Sequence, residues 1–180
     1  MKERLMIFGT AFLFSCLAIM FFLHFRRVKS GEDSLIRRWV NAAGLIGTVQ
    51  TWIAADTLIV NLADGSATVR LNATDTPSPL QDGSNEALEF AKKLVADEPV
   101  RVLEFRRTEE GVIIGEVYNS ENKSLNEELI IAGWAWYYEP DSPQNPYYKN
   151  LNEQASEKQI GLWSLGTPDP PWLVEPLKSN

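Results

Sequence analysis

GLIGTVQTWIAADTLIVNLADGSATVRLNATDTPS, residues 44–78, is the stretch on which the fold turns. Apolar residues alternate with polar ones over 46–53 and again over 58–62, the two-residue period of strands with one buried face. Asp64-Gly65 separates Leu62 from the β-rich run 67–73, and such a pair between two strands marks a tight hairpin. Three strands are therefore expected, with polar residues gathered at their ends. Asp56-Thr57 opens the second strand, Arg70 lies within the third, and Asp75-Thr76-Pro77 closes it. Two carboxylates and a guanidinium so spaced can converge on one sheet edge. Hard divalent cations take carboxylate oxygens and the arginine fork grips phosphate, so this edge is a candidate cation and phosphate site. The same residues allow a plainer arrangement, in which Arg70 pairs with Asp56 or Asp75 and ties the edge together.

The order aspartate-threonine, hairpin, arginine, then aspartate-threonine-proline, with Asp75 five residues after Arg70, resembles the staphylococcal-nuclease-like (thermonuclease) domains. The likeness continues through Glu86-Ala87 and Phe90-Ala91-Lys92-Lys93, through Asn126-Glu127-Glu128-Leu129 and Ala132-Gly133-Trp134-Ala135, to Gly161-Leu162-Trp163. It covers about residues 44–165. The resemblance implies an α+β, mainly β fold: a five-stranded OB-fold barrel with about three helices. It also implies calcium held by Asp56, Asp75 and the carbonyl of Thr76, with Arg70 as one catalytic arginine. Three positions depart from the family's pattern. Ser78 stands where the family has the glutamate that assists the attacking water, Val112 where it has a second catalytic arginine, and Ala54-Ala55 where an aspartate-glycine pair precedes the first metal aspartate.

A positioned general base contributes about 10²–10⁴ in rate, and a charge-stabilising arginine in phosphoryl transfer contributes roughly 10³–10⁵. The expectation is thus a catalytically degenerate, nuclease-like domain acting as a binding or accessory module. Its alternative is a calcium-dependent nuclease with a rearranged site. For that alternative, Arg106 and Arg107, just before the same hairpin, are candidates for the missing guanidinium, and Asp82 and Glu86 for the missing carboxylate.

Outward from this core, the run from Leu5 to Leu23 carries no charge and is almost wholly apolar, between Lys2 and Arg4 on one side and Arg26, Arg27 and Lys29 on the other. Nineteen such residues can span the hydrocarbon of a bilayer. A cleaved signal peptide is the competing reading, set back by the length of the run and the lack of a small-x-small cleavage site before the basic cluster. Residues 1–25 are therefore expected to be a single-pass transmembrane anchor in contact with membrane lipid. The side of the membrane stays open. Residues 26–43 place Leu35, Ile36, Trp39 and Val40 at helical spacing beside Arg37 and Arg38, a short juxtamembrane helix that either touches lipid headgroups or packs on the domain. Cys16 is the only cysteine and lies in the apolar run, and His24 is the only histidine. Disulfide, thiolate and His-ligated zinc chemistry are thereby excluded from the domain.

Within the domain, Ser84 is expected to cap a helix that buries Ala87, Leu88, Ala91, Leu94 and Val95. Strands follow at 100–105 and 112–118, around a Glu109-Glu110-Gly111 turn. Ser124 caps a second helix that ends near Gly133, and Asn145-Pro146 starts a third that runs to Gly161. Trp134, Trp136, Tyr137 and Tyr138 are expected to pack between the second helix and the barrel, with Tyr137 or Tyr138 free to contact a ligand. The tail, 166–180, holds Pro168, Pro170-Pro171 and Trp172. It is expected to be extended, with Trp172 stapled to the domain.

Charge bears on partners. The chain is net −7, yet residues 30–180 hold 12 basic and 23 acidic side chains, a net charge of −11. Affinity for nucleic acid comes largely from basic groups that neutralise phosphates. The acidic balance therefore favours protein partners in a membrane complex over a nucleic acid.

Overall fold

The structure, a computed structural model, describes residues 44–166 and 169–174. The expected membrane anchor and juxtamembrane helix lie outside the described residues. Among those described, no helix is long and apolar enough to cross a membrane.

Strands β1 (Leu45–Ala54), β2 (Thr57–Leu62) and β3 (Gly65–Leu71) form an antiparallel meander. The Asp64-Gly65 hairpin is present: Leu62 pairs with Gly65, and the ladder ends with Thr57 opposite Arg70. The expected third strand, 67–73, begins two residues earlier and ends two residues sooner. β3 stops at Leu71, Ala73 takes φ 55°, and β4 (Thr74–Asp75) starts a separate two-stranded sheet. After helix α1 (Ser84–Val95), β5 (Val100–Arg107) and β6 (Ile113–Tyr118) form a second hairpin. β6 runs parallel to β3 and β5 antiparallel to β1, so the order β1-β2-β3-β6-β5 closes into a barrel. Closure leaves no barrel edge with unpaired backbone groups.

Alternation along these strands fills the interior. Leu58 and Val60 of β2, Val69 and Leu71 of β3, Val100 and Val102 of β5, and Ile113 and Val117 of β6 are all buried. Each such side chain contributes about 1.5–3 kcal/mol on burial. Gly115 fits because a Cβ there would strike the carbonyl oxygen of Leu103 on β5.

Helix α1 packs Ala87, Ala91 and Val95 on the barrel, one residue per turn. Its cap is Gly83, at φ 84°, and not Ser84, whose N–H donates to Gln81 O. Helix α2 (Leu125–Ile131) is capped by Ser124, which accepts from the N–H of Glu127. It ends on Gly133, at φ 73°, where N–H groups of Gly133 and Trp134 donate to Ile130 O and Leu129 O, a Schellman closure. Strand β7 (Trp136–Tyr137) then pairs with β4, and a 3-10 turn, Glu139–Asp141, follows. Helix α3 (Pro146–Glu157) starts at the Asn145 cap but stops short of Gly161, which opens a second 3-10 turn, Gly161–Leu165. In the tail, residues 171–174 are helical (α4, Pro171–Val174), not extended. Trp172 does reach the domain, its ring 6.4 Å from Trp136 and 5.1 Å from Tyr138. Trp136 is buried against Trp163 as well, in line with a packing role for the aromatics.

Candidate phosphate and metal site

The tight link from β1 into β2 places Asp56 at the mouth of the β2–β3 hairpin, where its carbonyl accepts from Leu71 N–H at 2.8 Å. The chain then turns through 72–74 and lays Thr76 back on Asp56, whose Oδ2 accepts from Thr76 N–H at 2.9 Å. The other oxygen, Oδ1, accepts from the Thr57 hydroxyl at 2.7 Å. Asp56 is 1 % exposed, Asp75 7 % and Thr76 2 %, so two adjacent segments of the fold hold their oxygens inside the protein. Asp56, Thr57, Arg70, Thr76, Ser78 and Val112 all line one cleft of about 380 Å³. The structure thus brings together most of the residues that the sequence marks out.

Arg70 does not pair with either expected aspartate. Its Nη2 donates to both carboxylate oxygens of Asp141, at 3.1 and 2.9 Å. Asp141 ends the 3-10 turn after β7, and its side chain is 4 % exposed. A second guanidinium reaches the same carboxylate: Arg106 Nη2 lies 2.7 Å from Asp141 Oδ1. The reason lies in β5, whose register against β6 shifts between Glu104 and Arg106; such a bulge re-aims side chains. Arg107 is directed elsewhere. It pairs with Glu104 at 2.7 Å, and that hydrogen bond raises its pKa further above the usual arginine range.

Ser78 stands in the cleft with its N–H and hydroxyl both bonded to Gln81 Oε1, at 2.9 and 3.0 Å. Val112 lines the same cleft, its N–H bonded to the Thr108 hydroxyl. Asp82 and Glu86 are exposed and are not among the cleft's lining residues. Of the aromatic pair, Tyr137 has its hydroxyl engaged within the chain: it donates to Ser142 O at 2.5 Å and accepts from Asn145 N–H at 3.1 Å. Tyr138 is half-buried against Trp172. Asp141 was not foreseen, since its partner Arg70 lies 71 positions away and nothing local marks it.

The donor set suits a hard cation. It consists of carboxylate and threonine oxygens, and Thr76 Oγ1 is buried with no hydrogen-bond partner among the described residues. Two carboxylates supply only part of the six to eight oxygens calcium takes. Among the described residues no three Asp, Glu, His or Cys side chains gather as a metal cage.

A closed five-stranded barrel with this cleft beside its first hairpin defines a nuclease-like OB-type domain. The chain belongs to the family described as Staphylococcal nuclease homologue, which residues 68–165 match. It is 33% identical over 134 residues to an uncharacterized endonuclease of Escherichia coli, covering 74% of this chain and 87% of that one. It is 29% identical over 104 residues to the staphylococcal-like nuclease CAN1 of Arabidopsis thaliana, covering 58% of this chain and 32% of that protein. An uncharacterized endonuclease of Haemophilus influenzae is 29% identical over 106 residues, which is 59% of this chain and 58% of the other.

Proposed function

We propose that the chain is a metal-dependent phosphodiesterase acting on nucleic acid, held at a membrane by its N-terminal apolar run. The observation that carries this is the cleft in which Asp56, Thr76 and Arg70 meet, with Asp75 adjoining in β4. Asp56, Asp75 and Thr76 would hold a calcium ion, which supplies a Lewis acid for the phosphate. The chain's own part is to bind and orient. Arg70 neutralises charge on the non-bridging oxygens, and the Thr76 N–H and the Thr57 hydroxyl orient the Asp56 carboxylate. The names of the bacterial relatives support the same reading. The run from Leu5 to Leu23 supports the anchor.

A second reading, a binding or accessory module within a membrane protein complex, is favoured by one observation. Ser78 occupies the place of the proton-accepting glutamate and is itself bonded to Gln81, so no carboxylate from that position faces the cleft. The test is cleavage of labelled single-stranded DNA and RNA by the full chain in detergent, with calcium or magnesium and with chelator, beside Asp75→Ala. Metal-dependent cleavage that Asp75→Ala abolishes is the expected result. Silence from folded protein in every lane would leave the binding module. Partition of the chain into carbonate-washed membranes tests the anchor.

A further inference from the structure

Arg70 on β3 and Arg106 on β5 are both paired in register with Ile114 on the strand between them. Directly paired residues point to the same face, so the two guanidinia project from one face of the barrel two strands apart. Between them lies one carboxylate, Asp141, which takes Nη2 of each. Each arginine fork has five N–H donors, and the side chains stay 20 % and 45 % exposed. Two guanidinia share the one carboxylate between them, so N–H donors and one positive charge of the trio are left for a second anion, on the side of the cleft opposite Asp56.

A carboxylate and a phosphodiester present the same thing to an arginine fork: two oxygens sharing one negative charge. Asp141 ends a three-residue 3-10 turn, and the chain just after it is fixed by the Tyr137 hydroxyl, which donates to Ser142 O and accepts from Asn145 N–H. The carboxylate can therefore swing out without release of the loop that carries it. We infer that Arg70 and Arg106 form a phosphate clamp whose internal occupant is Asp141, and that a substrate phosphate enters by displacing that carboxylate. Arg106 then supplies, from a neighbouring strand, the second guanidinium that Val112 cannot. This inference rests on the phosphodiester reading for its substrate, but the clamp binds without turnover.

The test is inorganic phosphate binding to the full chain by calorimetry, with chelator present, for wild type, Asp141→Asn and Arg106→Gln. A hydrogen bond to a charged group corresponds to about tenfold or more in affinity. Asp141→Asn should bind phosphate about tenfold more tightly than wild type, and Arg106→Gln about tenfold more weakly. Unchanged or weaker binding by folded Asp141→Asn would overturn the clamp, as would wild-type affinity in Arg106→Gln. Should Asp141→Asn fail to fold, Arg106→Gln decides alone, since its side chain is half-exposed. These results are independent of cleavage: binding shifts with no hydrolysis keep the clamp and remove the enzyme, and hydrolysis without the shifts does the reverse.

Discussion

Ser78 directs both of its donors at Gln81 Oε1, and its hydroxyl cannot take a proton from water near neutral pH. A glutamate at that position would put a carboxylate in the cleft with Asp56 and Arg70. Ser78→Glu should therefore raise metal-dependent cleavage by about 10² or more, the contribution of a positioned general base; single-turnover rates on a labelled oligonucleotide measure it. Asn126 is a different kind of residue, wholly buried and structural. Its Nδ2 donates to Asn72 O and Gly115 O, and its Oδ1 accepts from Val117 N–H, which locks the turn beneath the cleft to β6. Asn126→Ala would strand those backbone groups, and denaturant unfolding should show a loss of roughly 2–4 kcal/mol. That Asp56, Arg70 and Thr76 come together at one cleft was legible because they sit in one short stretch, at strand ends. Asp141 was not, because an ion pair across 71 positions leaves no local trace.

Helices α2 and α3 meet β6 over a shared acidic patch. Glu116 Oε1 accepts from the Ser124 hydroxyl at 2.6 Å and from Tyr148 OH at 3.2 Å. Glu127, on α2, is pushed above the usual carboxylate range by burial and then by the Glu116 charge. A carboxyl whose pKa is raised by folding binds its proton more tightly in the folded state. Stability then falls as pH rises from the ordinary value, 4.5, through the raised one. Glu127→Gln removes that slope. It should be more stable than wild type at pH 7, by up to about 0.5 kcal/mol because solvent screens a half-buried site, as melting temperature against pH will show. Tyr118 on β6 behaves alike at the alkaline end: burial, aided by Glu116, pushes its phenol up to about 12. Its part in stability is lost as pH rises from 10 towards 12, and absorbance titration should show the delayed ionisation. At this scale strand alternation and the Ser124 and Asn145 caps were legible. Gly83 displaced Ser84 because the chain enters α1 through a positive φ, and the two-residue strands β4 and β7 are too short to carry any period.

For the molecule as a whole, the net charge of −11 over residues 30–180 bears on how a nucleic acid, the substrate of the proposed activity, would arrive. Basic nucleic-acid binders lose affinity steeply with salt because their binding releases condensed counterions from the phosphates into solution. Here the long-range field repels a polyanion, and screening weakens that repulsion. The rate of cleavage at sub-saturating oligonucleotide should therefore stay level or rise between about 20 and 200 mM sodium chloride; a steep fall would mean that a basic surface dominates the encounter.

The closed strand order was open to inference from the five strand-like runs and the family likeness, but the register was not, because the parallel pairing of Val69 with Ile113 depends on chain brought from far away. The order of synthesis delays that pairing. When β1, β2 and β3 leave the ribosome they have no partner for their outer edges until β5 and β6 have been made, up to Tyr118. At typical elongation rates of about 5–20 residues per second, the 47 residues from Leu71 to Tyr118 take about 2–9 s. During that time the outer edges of β1 and β3 have no strand to pair with, and bare strand edges are where nascent chains associate wrongly.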